Sequence, residues 1–505
     1  MNNRIRILAT SDIHGIIYPY NYADGMNAYQ GLSRLNTLIS SLRDENTLLL
    51  DNGDTIEGSP LTYYHYSYHP DDVCPMTSVM HDMHYDYINV GNHDFDYGEE
   101  CLMMHLQNAG APCITSNWFF HGKPYGPTYV IREIAGKKIA LFGLTTQYIP
   151  HWEPKANLIH SRFKDAYNTA LKTVDVLKRL EKPDYIICLY HGGFERDQYG
   201  NLIDQDNGEN EAYKMLSSIH DIDVLITGHT HLSICGQKYG TAFTQTESNG
   251  RELACIDIYT DTGVIEPRVL KADTEPDEEI TRSADEEEKK CQTWLDQPLG
   301  TSKVDLSISD PMDARIHKSQ LVTFINMIEK EATHADLAAS SIFLHAKGFD
   351  KEITMRDLVS TYVYPNTLVV KKITGKVLRD YLEQNAYFFT IKGTQIAVSS
   401  DYDYPRPKHY NYDMIDGIEY TIKVSNPRGQ RITSLTYQGQ PVTDDMVFTI
   451  ALNNYRANGG GNFEMLRTAP TVSENLTPMV DLIASYIQEH KVIDFEPVNN
   501  ITVEI

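Results

Sequence analysis

Ile5-Arg6-Ile7-Leu8-Ala9-Thr10-Ser11-Asp12-Ile13-His14-Gly15 decides the reading of this chain. Its first six residues are mostly apolar and suit a short buried strand. The strand-like run stops, and Asp, His and Gly follow within five positions. The pattern recurs. Strand-like runs at Thr47–Leu50, Tyr87–Val90, Tyr185–Tyr190 and Val224–Thr227 each precede a polar, glycine-bearing cluster. These clusters are Gly53-Asp54, Gly91-Asn92-His93-Asp94-Phe95-Asp96, His191-Gly192-Gly193 and Gly228-His229-Thr230-His231. In open α/β sheets the loops beyond strand ends carry ligands. A further strand is expected at Lys138–Gly143. Leu32, Leu35, Leu38, Ile39 and Leu42 fall at helical spacing, as do Phe163, Ala166, Tyr167, Ala170, Leu171, Val174 and Leu177. Strands alternating with helices indicate an α/β first half.

The five clusters share one donor chemistry: carboxylate, amide and imidazole, with no thiolate. That set suits Zn, Mn, Co or Fe rather than an iron–sulfur cluster or a structural zinc. Seven residues divide into a two-ion arrangement. Asp12, His14 and His231 can hold one ion, and Asn92, His191 and His229 the other. Asp54 can bridge them through its two oxygens. Residues i and i+2 of an extended chain face the same side, so extended Asp12-x-His14 and His229-x-His231 would each present two donors to one place. Taken singly, each element is an ordinary turn or a satisfied core histidine. The ordered set, each member behind a strand, is what carries the inference.

The second half is expected to be α+β, with strands at Thr367–Ile373, Ile418–Val424 and Val447–Leu452 and helices at Val377–Tyr387 and Met479–Glu489. An acidic stretch around 273–290 marks the change of texture, and such charge runs are usually solvated. The expected domains are residues 1–275, an acidic linker or helix at 276–300, and 301–505.

Across 505 residues, 44 Lys+Arg against 69 Asp+Glu give a net charge of −25. So acidic a chain repels phosphate backbones and anionic membranes. A small anion needs a local positive centre, and bound cations would provide one. The 7 cysteines form no CxxC and suggest no disulfide framework. No 18-residue apolar run and no cationic leader with a cleavage site are visible. The expectation is a cytoplasmic protein, or an extracytoplasmic one if a leader has been removed.

The ordered clusters resemble the calcineurin-like metallophosphoesterase superfamily. Their longer contexts, Leu8–Gly15, Asp51-Asn-Gly-Asp54, the Asn92 segment, His191 and Gly228–His231, resemble its bacterial 5'-nucleotidase family. The second half is similar to that family's C-terminal substrate domain through Tyr364-Pro-Asn-Thr-Leu368, Tyr410-Asn-Tyr-Asp413 and Asn454-Tyr-Arg-Ala-Asn-Gly-Gly-Gly461. The resemblance implies a four-layer metallophosphoesterase β-sandwich flanked by helices, plus an α+β substrate-binding domain. It implies two divalent ions, hydrolysis of nucleotide phosphoesters, His93 as catalytic imidazole and Asp96 as its orienting carboxylate. Tyr455 would stack one face of the base and Tyr412 or its neighbour Tyr410 the other. Asn458 and the triple glycine would lie near the ligand, and Arg456 would meet phosphate or sit on the surface.

Two phrases point to the branch of 2',3'-cyclic-nucleotide 2'-phosphodiesterase/3'-nucleotidases. Gly461 stands where the 5'-nucleotidases carry an Asp, and their Gly-Gly-x-Arg-Asp segment is not evident around Ala338–Lys347. Asp96 points the other way, since that branch often has Asn there. The alternatives are a 5'-nucleotidase or UDP-sugar hydrolase, and an inactive nucleotide-binding sensor. No nucleic-acid polymer or membrane partner is expected, and the sequence leaves the oligomeric state open.

Overall fold

The computed structural model describes residues 4–204, 206–364 and 366–505. Pro365 of the Tyr364–Leu368 phrase lies outside them. The chain divides into two compact units, residues 1–292 and 293–505.

In the first unit, Arg4–Thr10 sits at the centre of a five-stranded sheet. The order is Val264–Lys271, Glu252–Tyr259, Arg4–Thr10, Thr47–Asp51 and Tyr87–Ile88. Arg4–Thr10 and Thr47–Asp51 run parallel, Leu8 opposite Leu49. A six-stranded sheet orders Ile234–Lys238, Thr241–Gln245, Val224–Thr227, Tyr185–His191, Lys137–Thr145 and Val130–Ile134.

Alternation explains why both sheets are apolar on each side. Ile5, Ile7, Leu48 and Leu50 of the first sheet pack with Leu141, Ile187, Leu189 and Ile226 of the second in one core. The intervening residues Phe142, Leu144, Cys188 and Tyr190 form another core with Ala166, Ala170 and Val174 of the helix Ala166–Val176 and with Met215 and Leu216. The result is a sandwich with a helical layer, in keeping with the α/β expectation. Leu32, Leu35 and Ile39 are the buried stripe of helix Leu32–Leu42. The helix expected from Phe163 begins three residues later. Asp165 caps it through Asn168 N–H, and Phe163 ends a strand paired with Trp118 instead.

The acidic segment forms helix Asp285–Leu295. It is not uniformly solvated. Glu288 is buried and accepts from Tyr22 Oη at 2.9 Å, and Asp285 accepts from Tyr18 Oη at 2.9 Å.

The second unit is built on a mixed five-stranded sheet. Its order is Asp413–Asp416, Leu337–Ser341, Val447–Asn453, Leu368–Thr374 and Thr471–Asn475. Helix Gln320–Thr333 buries Leu321, Val322, Phe324, Ile325 and Ile328, and helices Gly375–Asn385 and Met479–His490 complete the α+β pattern.

Candidate functional site

The polar clusters converge where the parallel strands of both sheets end. Two groups of donor atoms form, each with all atoms within 4.8 Å of one another: Asp12, His14 and His231, and Asp54, His191 and His229. Asn92 joins the second group, its Oδ1 lying 2.8 Å from His229 Nδ1. Asp54 Oδ2 stands 3.1 Å from His191 Nε2 while its Oδ1 accepts the His93 N–H at 2.7 Å. His14 Nε2 and His231 Nε2 face each other at 3.1 Å, and Asp12 Oδ1 is 3.3 Å from His231 Nε2.

The extended geometry expected for the two i, i+2 pairs is not what holds them. Asp12, His14, Asp54, His229 and His231 all have positive φ, between 51° and 70°. These are left-handed turns, where a residue with a Cβ costs of order 1–3 kcal/mol unless its surroundings hold it. The hold is visible. Asp12 N–H donates to Gly53 O, His14 N–H to Asp54 O, and Asn249 N–H to Asp12 O, at 2.8–2.9 Å. His229 N–H donates to Asp12 Oδ1 at 2.9 Å. Concentrated strain of this kind is characteristic of functional sites. Gly91 is required by close approach, since a Cβ there would collide with the Asp54 carboxylate and His191 Cε1.

The electrostatics are those of a cation site. Burial would raise Asp54, but the His191 and His93 charges hold it well below the usual carboxylate range. Burial would likewise raise Asp12, yet the bond to His231 and the charges of His191 and His231 keep it low. His191 is fully buried, and the Asp54 charge lifts it against desolvation to about 9. His191 Nδ1 is 2.7 Å from Asn52 O, so Nδ1–H donates there and Nε2 is the ring atom turned to Asp54. Asp54 Oδ2 and His191 Nε2, both buried, face each other at 3.1 Å and find no further partner among the described residues. Carboxylate, amide and imidazole donors enclosed in this way fit a divalent cation.

Next to these groups, His93 opens a 3₁₀ turn. Its Nδ1 is 3.0 Å from Asp96 Oδ2. Burial and then the Glu57 charge push the Asp96 carboxyl well above its usual range. Burial and then Asp96 push Glu153 up as well.

Several participants were not foreseen. Asp94 accepts the N–H groups of Gly91, Asp54, Thr55 and Ile56 at 2.8–3.2 Å and so shapes the Asp54 turn. Glu57 Oε2 lies 3.6 Å from both His14 Nδ1 and His93 Nδ1. Glu209 Oε1 is 3.1 Å from His229 Nε2. Asp94 lay inside a quoted cluster and Glu57 follows Asp54 by three residues, so proximity was a signal for both. Glu209 and Glu153 had none.

In the second unit, Tyr412 is corrected. It is fully buried, stacked on Phe388 at 4.9 Å and edge-on to Phe389, and is a core residue. Tyr410 is half-buried and its ring lies 6.5 Å from that of Tyr455, inclined by 62°. A Cβ on Gly460 would run into the Tyr455 ring, so the glycine lets that ring lie against backbone. Asn458 is half-buried just after the short helix Asn454–Ala457, and its N–H donates to Asn454 O. Arg456 is neither a surface residue nor placed to meet phosphate. It is buried and paired with Asp413 at 2.5 Å.

Fold and donor geometry together define a hydrolytic phosphoesterase. Residues 5–233 match the calcineurin-like phosphoesterases and residues 298–468 the 5'-nucleotidase C-terminal domain. A Staphylococcus aureus protein assigned to the 5'-nucleotidases, solved with alpha-ketoglutarate, is 30% identical, with a TM-score of 0.94 over 99% of this chain and 100% of that one. The chain belongs to the 5'-nucleotidase family. It is also similar to the Haemophilus influenzae 2',3'-cyclic-nucleotide 2'-phosphodiesterase/3'-nucleotidase, 28% identical over 90% of this chain and 80% of the relative. The Bacillus subtilis trifunctional nucleotide phosphoesterase protein YfkN is 26% identical over 98% of this chain, which spans 38% of YfkN's length. Among the described residues no helix is long and apolar enough to cross a membrane.

Proposed function

We propose that the protein hydrolyses nucleotide phosphoesters at a two-cation centre, acting on 2',3'-cyclic nucleotides and 3'-nucleotides. The observation that carries this reading is the meeting of Asp12, His14 and His231 with Asp54, His191 and His229 beyond the strand ends of both sheets. Asn92 belongs to the same centre. The match to the cyclic phosphodiesterases over most of the chain supports the branch.

Asp12, His14 and His231 would hold one divalent ion and Asn92, His191 and His229 the other, with Asp54 between them. When bound, such ions supply positive charge that offsets a phosphate's own and acidifies an attacking water. The chain's own residues do the rest. Asp94 fixes the Asp54 turn through four N–H groups, and Asn52 O fixes the His191 ring. With Nδ1 directed to Asp96, His93 carries its transferable proton on Nε2 and delivers it to the departing ribose oxygen. Tyr455 and Tyr410 are the aromatic candidates for the base, and Asn458 a polar one. Their rings must reorient to clamp a base in parallel, because they stand 62° apart.

A turnover panel of 2',3'-cAMP, 3'-AMP, 5'-AMP and a UDP-sugar, on stripped protein reloaded with Mn, Zn, Co or Mg, tests the assignment. The cyclic and 3' substrates are expected to be cleaved fastest. Faster cleavage of 5'-AMP would move the protein to the 5'-nucleotidase branch, and binding without turnover would make it a sensor.

A further inference from the structure

Arg456 is 2% exposed and is among the largest fully buried side chains of the chain. A guanidinium carries its N–H donors in a rigid planar fork, and here the fork is spread over two segments. Nε donates to Asp413 Oδ2 at 2.5 Å and Nη2 to Asp413 Oδ1 at 3.3 Å. Nη2 also donates to Tyr410 O and to Asn411 Oδ1, both at 3.3 Å. Nη1 donates to Gly460 O. One side chain thus ties the Tyr410–Asp413 segment to the glycine loop that follows Tyr455.

The bridge is itself braced. Tyr381 Oη donates to Asp413 Oδ2 at 2.5 Å, and the Asp413 N–H donates to Asn385 Oδ1 at 3.0 Å. The Phe463 ring lies against the guanidinium, its centroid 4.3 Å from Cζ. Gly461, at φ 71°, passes so close that a Cβ there would meet Arg456 Nη1 and the Asn411 amide. Tyr455 Oη donates to the same Asn411 Oδ1 at 3.4 Å.

Core stability alone does not call for this arrangement. A buried ion pair is often no more stabilising than apolar residues of the same volume. What charge-assisted bonds in a rigid fork add is a fixed geometry between the segments they join. Those two segments carry the aromatic candidates Tyr410 and Tyr455, with ring centroids 6.5 Å apart. The bond to Tyr410 ends at its carbonyl. It therefore sets where the ring is rooted and leaves its tilt to the side-chain torsions.

We propose that Arg456 is a positioning residue for nucleotide recognition, holding the roots of Tyr410 and Tyr455 at the spacing a nucleobase requires. The inference rests on the reading of these two rings as the base pocket. Arg456 itself touches no substrate. It lowers the ordering cost of binding by fixing both segments before the base arrives.

Arg456→Lys tests this, because it keeps the charge but exchanges the fork for a compact ammonium that cannot span the same partners. Two substrates are compared: 2',3'-cAMP and the 2,3-cyclic phosphate of methyl riboside, which has the same reacting ring and no base. KM for 2',3'-cAMP is expected to rise about tenfold or more, with kcat within about twofold of the wild type. The kcat/KM for the base-free substrate should not change. A nucleotide KM within about twofold of the wild type would overturn the proposal. Equal losses on both substrates would also overturn it, since general loosening of the unit has that effect. Should Arg456→Lys fail to fold, Asn411→Ala decides. It removes one acceptor of the bridge, leaves the Arg456–Asp413 pair intact and should show the same split; an unchanged KM would again overturn the proposal. Tyr455→Ala and Tyr410→Ala separate the two possible failures. Unchanged KM in these as well would bring down the base-pocket reading. A raised KM in them, beside an unchanged one in the bridge variants, would bring down the positioning role alone.

Discussion

The two units treat their candidate residues differently. In the first, seven donors from distant parts of the chain meet, and five of them sit in left-handed turns pinned by backbone bonds. In the second, the aromatic candidates scatter. Tyr412 is packed in the core, while Tyr410 and Tyr455 remain half-buried with inclined rings. Cation chemistry accepts few residue types in few geometries, so the residues that serve it stand out. Aromatic rings serve core packing and base stacking equally well, so a tyrosine in a promising phrase can belong to either.

Five substitutions sharpen that contrast. The largest effect is expected of Asp54→Asn, which should lower turnover on the order of 10^4-fold and remove bound metal, read by steady-state kinetics and elemental analysis. His93→Ala should cost about 10^2–10^3-fold in turnover with the metal content unchanged. Near-full activity in that variant would break the assignment of the proton donor. Glu209→Ala should weaken metal binding about 10–100-fold through the loosened His229 ring, measured by competition with a chelator. The paired tyrosines come last. Tyr455→Ala should raise KM for a nucleotide by the loss of one stack, about 1–3 kcal/mol, and leave unfolding almost untouched. Tyr412→Ala should do the reverse, lowering stability in denaturant by about 3–5 kcal/mol with little change in KM beyond that. If the two variants exchanged these effects, the division between core ring and stacking ring would be wrong.

The same contrast governs what could be read without coordinates. Val224–Thr227 was legible to the residue because three apolar residues and a β-branched threonine sit between turn signals. The strand expected at Tyr87–Val90 shrank to Tyr87–Ile88, because Val90 N–H turns to Thr115 Oγ1 as the chain enters the Gly91 turn. Asp12, Asp54 and His191 were legible as a set because of their order behind strands. The left-handed backbone of Asp12 and Asp54 was not, since it comes from bonds such as His14 N–H to Asp54 O between segments forty residues apart. Glu209 and Glu153 could not be found, because a carboxylate that orients an imidazole is defined only by where folding puts it. Arg456 was expected to meet phosphate or sit on the surface, but Asp413, buried on the edge strand of the second unit's sheet, claims it.

The most direct test of the central claim is a calorimetric titration of Mn²⁺, at micromolar free metal, into stripped wild-type and Asp54→Asn protein. Two tightly bound ions in the wild type, and one or none in the variant, are the predicted result. An identical stoichiometry and affinity in both would contradict a centre built around Asp54.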